Sequence, residues 1–137
     1  MAKIERFEDL TIWKKGVDIA VQVYELADKG TLAADYRSRS QLVAAALSIS
    51  NNIAEGFEYN SNRAFIKYLT YAKGSAGEVR SEAYVLMLTK RITKEEYESL
   101  YPQLVELSKE IKGFINYLND FEKKKNPKKG KDQNPKS

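Results

Sequence analysis

The chain has 137 residues, 42% of them hydrophobic and 11% aromatic, with a formal net charge of +4, a size and composition that suit one packed domain. It contains no cysteine and no histidine. That excludes disulfides and thiolate metal sites and removes both the commonest general base and the commonest transition-metal ligand.

The longest apolar runs fall far short of the roughly eighteen residues that a bilayer requires, and MAKIERFEDL lacks the apolar centre of a secretory signal. A soluble, cytoplasmic protein without membrane contact is expected. The charge is unevenly placed. From Glu122 to Ser137 seven lysines stand against Glu122 and Asp132, while residues 1 to 121 are close to neutral, so the basicity belongs to the tail.

In chain order, Asp9 is placed to cap a first helix from about Leu10 to Lys29, with a seam of Leu10, Trp13, Val17, Ala20, Tyr24 and Ala27 and a stop at Gly30. Thr31 to Asp35 read as a short connection, with Asp35 capping the second helix. That helix, Tyr36 to Tyr59, has the stripe Leu42, Ala45, Ala46, Ile49, Ile53 and Ala54, and an embedded polar set of Ser48, Asn51, Asn52 and Glu55. Its alanines favour helix and close approach of neighbours. Gly56 inside that pattern costs about 1 kcal/mol relative to alanine, so a neighbour passes close by or the helix bends there.

A third helix, Arg63 to Lys90, carries Phe65, Leu69, Ala72, Ala76, Val79 and Leu86, a dense apolar end from Tyr84 to Leu88, and the run Gly74 to Gly77. Those glycines are expected to sit in tight contact with the second helix. Thr93 and Glu96 form a capping box that opens a fourth helix along Tyr97, Leu100, Leu104, Leu107, Ile111, Phe114, Leu118 and Phe121, with Pro102 kinking it or splitting off its first turn. Short connections favour an all-α, antiparallel, up-down-up-down four-helix bundle over residues 1–121, continued by a lysine-rich tail, 122–137, expected to be disordered.

Little chemistry is encoded. Glu78 and Glu82 share a helix face with Ser75 one turn before, and Glu55 can join them. Di-iron bundles use Glu-x-x-His pairs, which this chain lacks, and no loop resembles an EF-hand. No metal, cofactor or catalytic residue is therefore assigned. The glutamates read instead as partners of Arg39, Arg63, Arg80 or lysines, or as neighbours of a polar patch with Asn52 and Ser75. Ser48 and Ser75 lack a histidine partner, and Gly74 to Gly77 lacks the lysine of a phosphate loop. The protein is read as not an enzyme. The nine tyrosines suggest either stacking platforms for bases or, as for Tyr24, Tyr84, Tyr97 and Tyr117 beside apolar seams, rings buried with their hydroxyls at the edge. The tail offers Lys123, Lys124, Lys125, Lys128, Lys129 and Lys131 as phosphate contacts, against the alternative of a merely solubilising terminus.

Phe7, Leu10, Trp13 and Lys14, then Ser40-Gln41-Leu42 with SISNNIAEG, then Phe65, Leu69 and AKGSAGEV, resemble the four-helix-bundle family of 23S ribosomal RNA intervening-sequence proteins over about Arg6 to Leu118. Asn52 to Gly56 and Gly74-Ser75 with Glu78 are the most specific parts. The resemblance implies a ring-shaped homopentamer without assigned catalytic residues, in which Trp13, Asn52, Glu55, Gly56, Gly74, Ser75 and Glu78 serve structure or interface. The chain is also similar to the accessory variability determinant proteins of diversity-generating retroelements, which form such rings and bind a reverse transcriptase and nucleic acid. The pattern departs at Val43 and Ala44, where the family usually has two arginines, and at Ser50, where proline is frequent.

The expected function is thus a non-enzymatic, homo-oligomeric helical scaffold or accessory protein that binds RNA or DNA, or a nucleic-acid-processing protein, with affinity from its basic tail. A protein–protein interaction module without nucleic-acid binding is the alternative, and a carboxylate metal-binding bundle the third reading.

Overall fold

The computed structural model describes residues 3–125, all of whose regular elements are helical. A 3-10 turn at Phe7–Asp9 leads into α1 (Thr11–Ala27), a single-turn α2 (Gly30–Ala34), α3 (Tyr36–Glu58), α4 (Asn62–Leu88) and α5 (Lys94–Lys125). Each long helix packs on two others: α1 on α3 and α5, α4 on α3 and α5, with α3 against α4 the most extensive pairing. That cyclic adjacency makes a four-helix bundle whose core lies along its axis, built from Ile19 and Val23, Leu42, Ile49 and Ile53, Leu69 and Val79, and Leu104, Leu107 and Ile111.

The helix ends are set by local chemistry. Asp35 caps α3, accepting the Ser38 N–H at 3.2 Å and the Ser38 hydroxyl at 2.8 Å, and Ser61 caps α4 through the Ala64 N–H at 3.3 Å. The expected capping box closes in both directions: the Thr93 N–H donates to Glu96 Oε1 at 2.8 Å, and the Glu96 N–H to Thr93 Oγ1 at 3.0 Å. Asp9 does not cap α1. It lies in the preceding 3-10 turn, and the N-cap position is held by Leu10 without a side-chain bond. α4 ends two residues before Lys90 in a Schellman closure, Arg91 N–H to Leu86 O at 2.8 Å and Lys90 N–H to Met87 O at 3.0 Å. Lys90 takes the left-handed position (φ 63°) usually given to glycine. The connection after α1 likewise has Gly30 at φ 63°, and Thr31 to Ala34 form the helical turn that buries Leu32.

Two registers differ from expectation. In α1 the buried row is Ile12, Gly16, Ile19, Val23 and Leu26, whereas Trp13 and Val17 are half-buried and Tyr24 is exposed. The two rows overlap in sequence, and Gly16 decides between them. A Cβ there would stand 3.3 Å from Ser50 Cβ, so the glycine lets α3 lie close. In α5 the helix runs unbroken through Pro102, which sits on the exposed side, where helix carbonyls reach water. The same helix continues to Lys125, so Glu122 to Lys125 are helical. Residues 126–137 of the tail lie outside the described residues.

Polar ties fix the assembly of helices. Lys15 Nζ donates to Glu106 at 2.9 Å and Glu110 at 2.7 Å, and Gln22 and Gln103 exchange amide bonds at 2.7 and 2.8 Å, joining α1 to α5. Arg39 of α3 reaches the last carbonyl of α1, Ala27 O, at 3.1 Å and Asp28 at 2.8 Å. Arg91, between α4 and α5, holds Asp35 at the start of α3 and, with the Ser38 bonds, pulls its carboxyl down to about 2.

Candidate functional site

The motif residues of α3 and α4 meet along one seam. Asn52, one turn after Ser48, donates its amide to Ser48 O at 2.8 Å and Ser48 Oγ at 2.9 Å. Across the seam the Ser75 hydroxyl donates to Ser48 Oγ at 3.0 Å. All three residues are half-buried, and the bridge satisfies groups that burial would otherwise penalise. The hydrogen bonds of the two hydroxyls run to each other and to an amide, so the trio ties helices and presents no activated nucleophile.

One turn further on, Gly56 is buried where the two helices come closest. A Cβ there would lie 2.6 Å from Tyr68 Cβ and 3.2 Å from Phe65 Cδ1. Glu55 beside it is exposed and lies against the Tyr68 hydroxyl. That hydroxyl also donates to Tyr59 at 3.5 Å, and Tyr59 first and Glu55 second push its pKa above the usual phenol value. Gly74 corrects the expected glycine contact: it is exposed, with no heavy atom within 4 Å of a built Cβ, and Gly77 is equally open. The buried row of α4 is Leu69, Ala72, Ala76, Val79 and Ala83, so Ala72 and Ala76 face inward and the glycines do not.

On the other side of Ser48, Glu78 and Glu82 line a shallow, open depression of about 310 Å³ with Gln41, Ala44, Ala45 and Ser48. Burial first, then the Glu78 charge, raises the Glu82 carboxyl above its usual range. Neither glutamate takes an ion-pair partner among the described residues, against the expected pairing with Arg39 or Arg80. Arg39 is engaged by Asp28, and Arg80 lies over the Tyr101 ring at 5.4 Å. Among the described residues no three carboxylates gather as a metal site would need. Trp13 stands apart from this seam, half-buried and edge-on to Phe7 at 5.3 Å.

Of the proposed phosphate contacts, Lys123, Lys124 and Lys125 are exposed on the last turn of α5, where cations also complement the helix dipole. Lys128, Lys129 and Lys131 lie outside the described residues. Tyr59, Tyr71 and Tyr117 are exposed, which the seams alone do not reveal. Tyr71 falls off the Leu69–Ala72–Ala76 row, which is the signal that places it outside. Among the described residues no helix is long and apolar enough to cross a membrane.

Comparison with known proteins rests on the same elements. The family model of the 23S rRNA-intervening sequence protein matches residues 8–113, which takes in the whole Ser48–Asn52–Ser75 seam and stops short of the lysines at the end of α5. A crystal structure from Bacteroides thetaiotaomicron VPI-5482, of a protein of unknown function from the S23 ribosomal protein family, matches with a TM-score of 0.70 and 27% sequence identity, covering 77% of this chain and 98% of that one. No curated protein matches. With the family match spanning most of the chain and the helical fold shared, the protein belongs to the 23S rRNA-intervening sequence protein family.

Proposed function

We propose that the protein is a non-enzymatic, cytoplasmic accessory bundle that assembles with copies of itself and engages nucleic acid, or a nucleic-acid-processing protein, through the lysines at and beyond the end of α5. The observation that carries this reading is the exposure of Lys123, Lys124 and Lys125 on the last turn of a helix, leading directly into Lys128, Lys129 and Lys131, while the rest of the chain is close to neutral. Clustered lysines release counterions from a phosphate backbone and so bind without regard to sequence.

The bundle is read as antiparallel, up-down-up-down. Supporting pairs run in opposite numerical directions: Gly16 with Ser50 and Ala27 with Arg39, Ser48 with Ser75 and Gly56 with Tyr68, Lys15 with Glu110 and Gln22 with Gln103. Assembly as a homopentameric ring is what the family resemblance implies, and it would gather five tails, multiplying weak contacts by effective concentration.

Neutralising the six lysines to glutamine should flatten the salt dependence of RNA or DNA binding by about 0.7 to 0.9 for each phosphate left without its lysine, while light scattering still gives five times the chain mass. Equal binding by parent and variant across a salt titration would remove the tail from the mechanism. The exposed Tyr84, Val85 and Leu88 on one side of α4 favour the protein-docking alternative. A specific protein recovered by pull-down, with no nucleic-acid binding at low salt, would establish that instead.

A further inference from the structure

Three helix termini meet at one end of the bundle. α3 closes at Glu58, α4 opens at Asn62 and α5 finishes at Lys125. The Asn62 amide donates to Glu122 at 3.4 Å, which sets the lysine-bearing turn of α5 beside the first turn of α4. Arg63, Lys67, Lys123, Lys124 and Lys125 are exposed there, and none forms an ion pair among the described residues. Of the nearby carboxylates, Glu55 lies against the Tyr68 hydroxyl and Glu122 takes the Asn62 amide. Glu58 and Asp120 remain, so cations prevail.

Aromatic rings are exposed at the same end: Tyr59 at 57%, Tyr71 at 50%, Tyr117 at 53% and Phe121 at 48%. Several are held in place by other rings. Tyr59 stacks on Tyr68 at 5.3 Å, Tyr71 meets Tyr68 edge-on at 5.7 Å, and Tyr117 meets Phe114 edge-on at 6.2 Å. Helical spacing aligns them with the charges. Arg63, Lys67 and Tyr71 succeed one another at intervals of four along α4, and Tyr117, Phe121 and Lys125 do the same along α5, so each helix carries a single row in which cations continue a line of rings.

Ordered rings beside unpaired cations are what a single strand requires. Unstacked bases need an open π-face and the intervening phosphates need positive charge. A duplex hides its base faces and can use only the charges. We propose that this end of the bundle is a platform for single-stranded nucleic acid, with Tyr71, Tyr117 and Phe121 stacking bases and Arg63, Lys67 and Lys125 taking phosphates. The proposal rests on the nucleic-acid reading above and sharpens it, since tail lysines alone would not distinguish single from double strands.

The test is fluorescence anisotropy of the full chain with short labelled oligouridine, oligothymidine and a duplex of equal length at low salt. Single strands should bind more tightly than the duplex. Tyr71→Ala and Tyr117→Ala should each weaken single-strand binding by about tenfold, leaving duplex binding and the salt slope unchanged, because stacking releases no counterions. Arg63→Gln should lower the slope. Single-strand affinity unchanged in both tyrosine variants, with tail neutralisation still weakening binding, would overturn the platform and leave the tail-based reading standing. No binding of any probe by the parent would overturn both. A changed solution mass in the tyrosine variants would make this surface a contact between copies and also overturn the platform.

Discussion

Gly56 and Gly74 both interrupt long helices, and the structure assigns them opposite consequences on substitution by alanine. A Cβ at position 56 would stand 2.6 Å from Tyr68 Cβ and 3.4 Å from Phe65 Cα. Carbon atoms pack best at about 3.5 to 4.0 Å, so roughly 1 Å must be found. Tyr68 Cβ is fixed directly to the backbone of α4 and cannot swing aside, so the two helices must part. Overpacking of this kind costs about 1 to 3 kcal/mol, against about 1 kcal/mol gained in helix propensity. Gly56→Ala should therefore be destabilising by up to about 2 kcal/mol. At Gly74 nothing lies within 4 Å of the built Cβ, only the propensity gain operates, and Gly74→Ala should stabilise by up to about 1 kcal/mol. Urea unfolding monitored by far-UV circular dichroism, at one protein concentration because assembly shifts apparent stability, measures both. A Gly56→Ala midpoint at or above the parent's would refute the close approach of α3 and α4. A Gly74→Ala midpoint below it would mean that another surface already occupies that space.

Leu107→Ala, at a fully buried position in the middle of α5, should cost about 2 to 5 kcal/mol as a core cavity, and a loss below about 0.5 kcal/mol would break the register of that helix. Acid stability should depend on Arg91. The Asp35 carboxyl is lowered from 3.8 to about 2 chiefly by that guanidinium, so its contribution is present above pH 4 and is lost as pH falls toward 2. Arg91→Gln should lower the melting temperature at pH 5 and converge on the parent by pH 2. A gap that stays constant over that range would show that the pair does not act through the Asp35 proton.

Helix existence and most of the core were legible because the buried rows repeat at three and four. Leu42, Ala45, Ala46, Ile49 and Ile53 are buried as their spacing requires, and so are Leu100, Leu104, Leu107 and Ile111. The termini with side-chain caps, Asp35 and Thr93 with Glu96, were equally legible. α4's end was not, since Lys90 occupies a left-handed position that sequence would have assigned to glycine. In α1 two apolar rows overlap, so periodicity alone could not choose the isoleucine row over the tryptophan row.

The glycines explain why the seam was only half legible. Gly56 continues the row of Ile49 and Ile53, and Gly16 that of Ile12 and Ile19, and both are contacts. Gly74 stands two residues past Ala72, on the far side of its helix, and touches nothing. A glycine therefore marks a close approach when it falls on the buried row, and composition alone, as in the run from Gly74 to Gly77, marks nothing. The same criterion separates the tyrosines. Tyr97, inside the row that runs to Leu100 and Leu104, is partly buried, whereas Tyr71 and Tyr117 flank their rows and stand exposed. Rings beside a seam are covered only if a neighbouring helix reaches them, and among the described residues none does. That is why a surface of tyrosine and lysine lies outside what periodicity can see, while the Ser48–Asn52–Ser75 bridge, lying between two predicted rows, could be inferred as a polar patch but not as a bonded one.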